Sequence, residues 1–168
     1  MPLALSLIPF DRGRAALLAE WLAQPHVARW YPDPDAHLEW ALEPPAGGAN
    51  ALIERDNRPI GYLRWQKVGR EALDSLGLVE IPSGSVDIDI LIGETGDTGR
   101  GLGPKALELL IEKLRVDETV PVAGLSPCVE NLIAQRAYEK AGFRRAGEYA
   151  MPNLGRGVLM IRCLDNAR

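Results

Sequence analysis

A chain of 168 residues with 46% hydrophobic and 25% charged side chains is long enough to bury one core and is ordinary for a globular protein. Its formal net charge of −4 argues against nucleic acid as the main partner, because phosphate binding wants clustered Lys and Arg. Cys128 and Cys163 stand far apart, His26 and His37 have no ligand-spaced partners, and no apolar run approaches a membrane span, which argues against a zinc or other metal site, a disulfide framework and a membrane protein. Met1 leads directly into a strand-like stretch without a basic n-region or cleavage site, which predicts a cytoplasmic protein.

Residues 3–9 read as a first strand. From Arg14, the spacing of Ala16, Leu17, Leu18, Trp21 and Leu22 predicts a helix that ends before Pro25. The proline-broken aromatic stretch 26–35 predicts a loop or a pair of short helices, and helical spacing resumes over 36–42 until Pro44-Pro45-Ala46-Gly47-Gly48. Strands are expected at Ala49–Glu54 and Pro59–Lys67, joined by a polar turn at Asp56-Asn57-Arg58. Residues 68–84 carry little pattern and read as an excursion. Ser85–Ile92 alternates, with Val86, Ile88, Ile90 and Ile92 on one face and Asp87, Asp89 and Leu91 on the other. A glycine-rich loop, Gly93 to Gly103, then opens a helix running to Arg115. Val120–Leu125 is a short strand, Asn131–Ala141 a helix stopped by Gly142, and residues 143–151 and 157–164 two closing strands. Hairpins followed by a strand–helix–strand–helix unit predict a single α+β domain over 1–168, built on one central sheet.

The densest local signal is Gly99-Arg100-Gly101-Leu102-Gly103-Pro104, between a strand and a helix. Closely spaced glycines let the backbone approach a ligand, and the free N–H groups of a helix start form an anion site. No Gly-Lys-Ser/Thr follows, so this is not a Walker loop. A dinucleotide fingerprint is met only in its relaxed, alanine-ended form from Gly101. Several polar residues then separate Ile92 from the loop, and Ser126 stands where that fingerprint expects an acid.

Downstream, Asn131-Leu-Ile-Ala-Gln-Arg-Ala-Tyr138-Glu-Lys-Ala-Gly142-Phe143 follows a short strand. Together with the GRGLG loop, this pattern resembles the GNAT acetyltransferase superfamily in two separate places. Within it the chain looks most like the aminoglycoside 6′-N-acetyltransferase branch. Glu20-Trp21-Leu22, His26-Val27-Ala28-Arg29-Trp30, Pro59-Ile60-Gly61-Tyr62 and Ile88 through Glu94 carry that likeness, as does Tyr138 through Arg144. Siderophore and lysine-hydroxylamine acetyltransferases tend to carry His where Asp89 stands, so Asp89 points toward an amine.

The resemblance implies a mixed, mostly antiparallel sheet, flanked by helices and splayed beside Asp89, with acetyl-coenzyme A as co-substrate. It implies that Ile90, Leu91 and Ile92 hold the pantetheine arm. The amides of Gly99, Arg100, Gly101, Leu102 and Gly103 would hold the pyrophosphate, and Asn131 would contact the pantetheine or its surroundings. Tyr138 would lie near the thioester sulfur. Two positions depart from the branch: Ser126-Pro127 replaces its usual Asp-Pro, and Pro152-Asn153 its frequent Pro-Asp.

Each residue has a functional and a plain reading. Asp89 could hold an incoming ammonium and take its proton, or be a surface acid. Tyr138 could protonate the departing thiolate or pack in the core. Trp30 and Tyr31 could wall a substrate cleft, with Ser126 as a further substrate contact, or anchor their loop. Cys128 has no adjacent base and reads as a plain thiol. The expected protein is an acetyl-CoA-dependent N-acetyltransferase, working by direct transfer on a small amine such as a polyamine or aminoglycoside, as monomer or homodimer. A siderophore or lysine-hydroxylamine acetyltransferase and a non-catalytic acyl-CoA sensor are the alternatives.

Overall fold

The computed structural model describes residues 4–164. β1 (Leu5–Pro9) pairs antiparallel with β2 (Gly48–Arg55), from Leu5↔Arg55 to Pro9↔Ala51. Between them lie α1 (Ala15–Leu22), α2 (Pro25–Ala28) and α3 (Pro34–Leu42). Pro25 and Pro34 each occupy a first helical turn, where a missing N–H breaks no intrahelical bond. Asp33 caps α3 by accepting from Ala36 N at 3.1 Å, so this helix starts ahead of the expected residue 36.

β3 (Arg58–Val68) follows β2 through Asp56 and Asn57, whose φ values of 50° and 65° suit a two-residue hairpin turn. Short polar side chains tolerate that region best after glycine. Residues 68–84 contain α4 (Arg70–Ser75), which buries only Leu73. Arg70 ties this helix to the following turn, donating to Asp74 Oδ1, Ile81 O and Leu78 O at 2.8, 2.7 and 3.1 Å. Six residues with one buried side chain offer no period to read, which is why the sequence pattern missed this helix.

β4 (Ser85–Ile92) has the bounds its alternation predicts. A 3₁₀ turn at Thr95–Asp97 and the glycine loop lead into α5 (Leu102–Val116), which buries Leu102, Ala106, Leu107, Leu110, Ile111 and Leu114 along one stripe. β5 (Val122–Leu125), α6 (Leu132–Lys140), β6 (Arg144–Met151) and β7 (Gly155–Cys163) complete the chain. α6 ends in a Schellman pair: Phe143 N–H donates to Tyr138 O and Gly142 N–H to Glu139 O, both at 3.0 Å, with Gly142 at φ 86°.

The strand order is β1-β2-β3-β4-β5-β7-β6. β4 and β5 are parallel, while β1·β2, β5·β7 and β6·β7 are antiparallel, so the sheet is mixed and mostly antiparallel as the resemblance implied. The β4·β5 register is Val86↔Ala123 and Asp87↔Gly124, so Asp89–Ile92 lie beyond the paired part of β4.

Two compact units make up the chain. The first is Met1–Trp65 with Asp89–Ala106, and its apolar cluster joins Leu18, Trp21, Leu22, Val27, Ala41, Leu52, Tyr62 and Leu91. The second is Gln66–Ile88 with Leu107–Arg168, which buries Val122, Ala123, Leu125, Phe143, Val158 and Met160. Leu91 corrects the simple alternation: both Ile90 and Leu91 are buried, because α1 and its neighbours also cover the face that Leu91 shares with Asp89. No described helix is long and apolar enough to cross a membrane.

Candidate active site

Asp89 stands on β4 with its side chain 42% exposed. Arg64, on β3, donates through Nε to Asp89 Oδ2 at 3.0 Å, and its Nη2 lies in ion-pair contact with the same oxygen, also at 3.0 Å. The guanidinium carbon lies 4.5 Å from the ring centre of Trp40 on α3. A Cβ at Gly48 would lie 3.0 Å from that ring, so a larger residue at position 48 would crowd Trp40. Among the described hydrogen bonds none engages Asp89 Oδ1. Tyr31, His37 and Tyr62 complete the polar wall of a small cavity with Arg64 and Asp89, over Leu18, Leu22, Ile90 and Leu91.

The His37 ring meets Tyr31 edge-on, with centroids 4.8 Å apart. Burial, reinforced by Arg64, pushes its pKa below the ordinary 6.5 against the opposing pull of Asp89 and Asp33, so it is neutral at pH 7. Folding thus disfavours the protonated form. The stability this residue contributes is complete above the unfolded value and declines as pH falls from about 6.5. The melting temperature should drop on acidification through that window, and His37→Asn should flatten this part of the profile. Melts from about pH 7.5 to about pH 5 check it. Tyr62, pushed up to about 12 mainly by burial, stays protonated and accepts a hydrogen bond from Asn50 Nδ2 at 3.0 Å.

Two side chains reach the segment of β4 beyond the β5 pairing. Tyr31 donates its hydroxyl to Ile90 O at 2.9 Å, and His26 Nε2–H donates to Ile92 O at 2.9 Å. That bond fixes the His26 tautomer. Trp21, buried in the cluster, donates Nε1–H to Glu94 Oε1 at 3.2 Å. Farther along, Asp97 is 5% exposed and is bound by Arg58 at 3.0 Å and Arg55 at 3.6 Å, which anchors the 3₁₀ turn ahead of the glycine loop.

Gly99 and Gly101 have φ values of 71° and 73°, conformations that strain other residues, and the space where a Cβ would stand at either is open. Packing therefore does not explain these glycines; backbone conformation does. Lys105 N–H closes the first turn on Gly101 O at 3.4 Å, and the amides ahead of it have no intrahelical acceptor. This exposed cradle at the start of a 15-residue helix fits a diphosphate group. The Leu102 side chain is buried at 1% exposure, so only its amide is offered.

In the second unit, Asn131 is the N-cap of α6, its Oδ1 accepting from Ala134 N at 3.2 Å. Tyr138 is half-buried on the same helix. The Ser126 hydroxyl accepts a 2.6 Å hydrogen bond from Tyr149. Asn153 sits at φ 62° after Pro152 in the β6–β7 turn, closed by Leu154 N–H on Met151 O at 3.2 Å, and asparagine suits that conformation. Burial and the nearby Glu130 raise the Cys128 pKa, the direction opposite to an activated nucleophile.

Of the residues singled out by sequence, Asp89, Tyr31, Ile90 and Leu91 share the first unit's cavity. Trp30 is not in its wall and carries Arg29 against its ring at 4.7 Å. Ser126, Asn131 and Tyr138 belong to the other unit. Arg64, His37, Trp40, Asp97 and Tyr149 were not foreseen as site or loop-holding residues. For Arg64, the only clue in the sequence is a cation on the strand before Asp89. Among the described residues no group of His, Cys, Asp and Glu could hold a metal ion.

A family model described as an acetyltransferase (GNAT) domain matches residues 12–151. An aminoglycoside N(6′)-acetyltransferase type 1 of Klebsiella pneumoniae is 31% identical over 156 residues, covering 88% of this chain and 77% of the relative. A kanamycin resistance protein of Rhizobium radiobacter is 37% identical over 83 residues, covering 49% of this chain and 76% of the relative. The crystal structure of aminoglycoside acetyltransferase AAC(6′)-Ib with coenzyme A and kanamycin matches at a TM-score of 0.80 and 29% identity, covering 95% of each chain.

Proposed function

The chain belongs to the acetyltransferase (GNAT) domain family, and from that premise we propose that it acetylates a primary amine of an aminoglycoside-like substrate. It is an acetyl-CoA-dependent N-acetyltransferase, with acetyl-coenzyme A as the acyl donor. The amino-sugar acceptor is supported by relatives named for aminoglycosides and by one observation above the others. Asp89 is half-exposed in a cavity, with one oxygen held by Arg64 and the other unengaged among the described bonds.

Oδ1 of Asp89 holds the acceptor's ammonium and takes its proton directly or through a water, delivering the neutral amine that attacks. The backbone N–H near Ile90 or Leu91 steadies the oxyanion, and the amides of Gly99 to Gly103 hold the diphosphate. Acetyl-coenzyme A supplies the activated acyl group. Protonation of the departing thiolate is assigned to Tyr138, and Asn131 to the pantetheine surroundings, on the family pattern alone. Asn131 uses its Oδ1 to cap α6, so its amide nitrogen is the group available for this contact.

Thiol release from acetyl-coenzyme A, measured against aminoglycosides, polyamines, hydroxylamine-bearing lysine derivatives and basic peptides, tests the reading. Turnover is expected with amino sugars. Turnover confined to hydroxylamines or peptides would overturn the substrate class, and donor binding without turnover on any amine would overturn the amino-sugar reading altogether.

A further inference from the structure

We propose that His26 and Tyr31 are positioning residues for the acyl donor: bound to the carbonyls of Ile92 and Ile90, they hold the free edge of β4 open and leave its N–H groups to the pantetheine arm. The inference rests on the assignment of Ile90–Ile92 to that arm and is independent of which amine is acetylated. Backbone polar groups of successive strand residues point to opposite edges. Gly93 N–H donates to Ile60 O at 2.8 Å, and a Cβ at Gly61 would collide with Leu91 O, so residues 91 and 93 face β3. Ile90 and Ile92 therefore turn their N–H and C=O groups to the other edge, past Asp87, the last residue in register with β5.

An open strand edge is a template for another strand, because it offers alternating donors and acceptors. Here both outward carbonyls carry a side-chain donor: the Tyr31 hydroxyl on Ile90 O and His26 Nε2–H on Ile92 O, each at 2.9 Å. A strand could pair along this edge only by displacing both. What the edge offers instead is N–H groups, which suit the amide and thioester carbonyl oxygens of an acylated pantetheine. The two side chains come from one short element. Val27 lies between them in sequence, 3% exposed in the apolar cluster, and its carbonyl accepts from Trp30 N–H and Tyr31 N–H at 2.9 and 3.2 Å. The His26 ring also buries its Nδ1 with no partner among the described residues. Burying an unpaired nitrogen opposes stability, so the bond to Ile92 O is the polar contact that accounts for a histidine here.

Donor binding without any acceptor tests the inference. Coenzyme A and ADP 3′-phosphate, which keeps the diphosphate and nucleotide but lacks the arm, are titrated into each protein. Wild type should bind coenzyme A more tightly, and the ratio of the two Kd values reads the arm alone. Tyr31→Phe and His26→Leu should each shrink that ratio about three- to tenfold while the Kd of ADP 3′-phosphate stays within about twofold. His26→Gln, whose amide N–H has a similar reach, should keep the ratio within about twofold of wild type. A ratio that moves less than about twofold in both Tyr31→Phe and His26→Leu overturns the inference, as does a loss in His26→Gln equal to that in His26→Leu. Equal weakening of both ligands also overturns it, because that is what general loosening of the fold would do. Should His26→Leu fail to fold, Tyr31→Phe, which removes a single oxygen, decides alone. A wild type that binds both ligands equally overturns the assignment of the arm to Ile90–Ile92 and this inference together. A wild-type preference that no variant moves overturns this inference alone.

Discussion

Replacing Asp89 by asparagine should lower kcat/KM about 10²–10⁴-fold while leaving acetyl-coenzyme A affinity within about twofold. Asparagine keeps the shape of the side chain but removes the charge that holds an ammonium and the site that takes its proton. The donor contacts assigned to the glycine loop are made by other residues, which is why binding of the donor should survive. Arg64 loses its anionic partner, but both side chains retain solvent contact, at 18% and 42% exposure. A stability loss of about 1 kcal/mol is therefore expected, too small to unfold the protein at assay temperature. Thiol-release kinetics alongside a melting curve and a coenzyme A titration separate these effects. Turnover within about threefold of wild type would remove Asp89 from the chemistry and leave it as the partner of Arg64.

A methyl group at Gly61 should cost about 1–3 kcal/mol and weaken donor binding as well. A Cβ there would lie 2.4 Å from Leu91 O, 3.1 Å from Ile53 Cδ1 and 3.3 Å from Ile92 Cδ1. The isoleucine methyls can adjust, but Leu91 O is backbone and moves only with its strand. Gly93 N–H, which donates to Ile60 O at 2.8 Å, ties β4 to β3 just beyond this point. Relief of the clash therefore displaces Ile90–Ile92, the segment assigned to the pantetheine arm. Gly103→Ala is the informative contrast. A Cβ there meets nothing within 4 Å, and its φ is not positive, so the melting temperature should hold or rise with the better helix former. The added methyl would nevertheless stand in the diphosphate cradle and reduce donor affinity. Melting curves and coenzyme A titrations of the two variants should thus split in opposite directions. A Gly61→Ala protein as stable as wild type would show that β3 and β4 can separate freely at Leu91.

Features that act within a few residues were legible before any coordinates. The Asp56-Asn57 turn, the bounds of β4, the stop of α6 at Gly142 and the glycine loop each follow from backbone conformation or a local period. The paired motifs at Gly99–Gly103 and Asn131–Phe143 also pointed to the family, because they carry that signal in the chain itself. The helix over Arg70–Ser75 was not legible, since its amphipathic face is a single leucine.

The surroundings of Asp89 were decided by tertiary structure alone. Arg64 reaches it from 25 residues away, while Tyr31 and His26 reach the carbonyls of Ile90 and Ile92 from 59 and 66 residues away. Two departures likewise acquired meaning only in the fold: Asn153 serves a left-handed turn, and Ser126 answers Tyr149. By itself the sequence determined the order of the elements other than α4, the family and the presence of a candidate acid. Strand register and the packing of α1 to α3 decided that this acid meets an arginine and shares a cavity wall with His37. The physical reason is one of range: propensity, caps and turns act over a single turn or hairpin. The charge balance of a cavity is set by side chains that only the folded backbone brings within hydrogen-bonding distance.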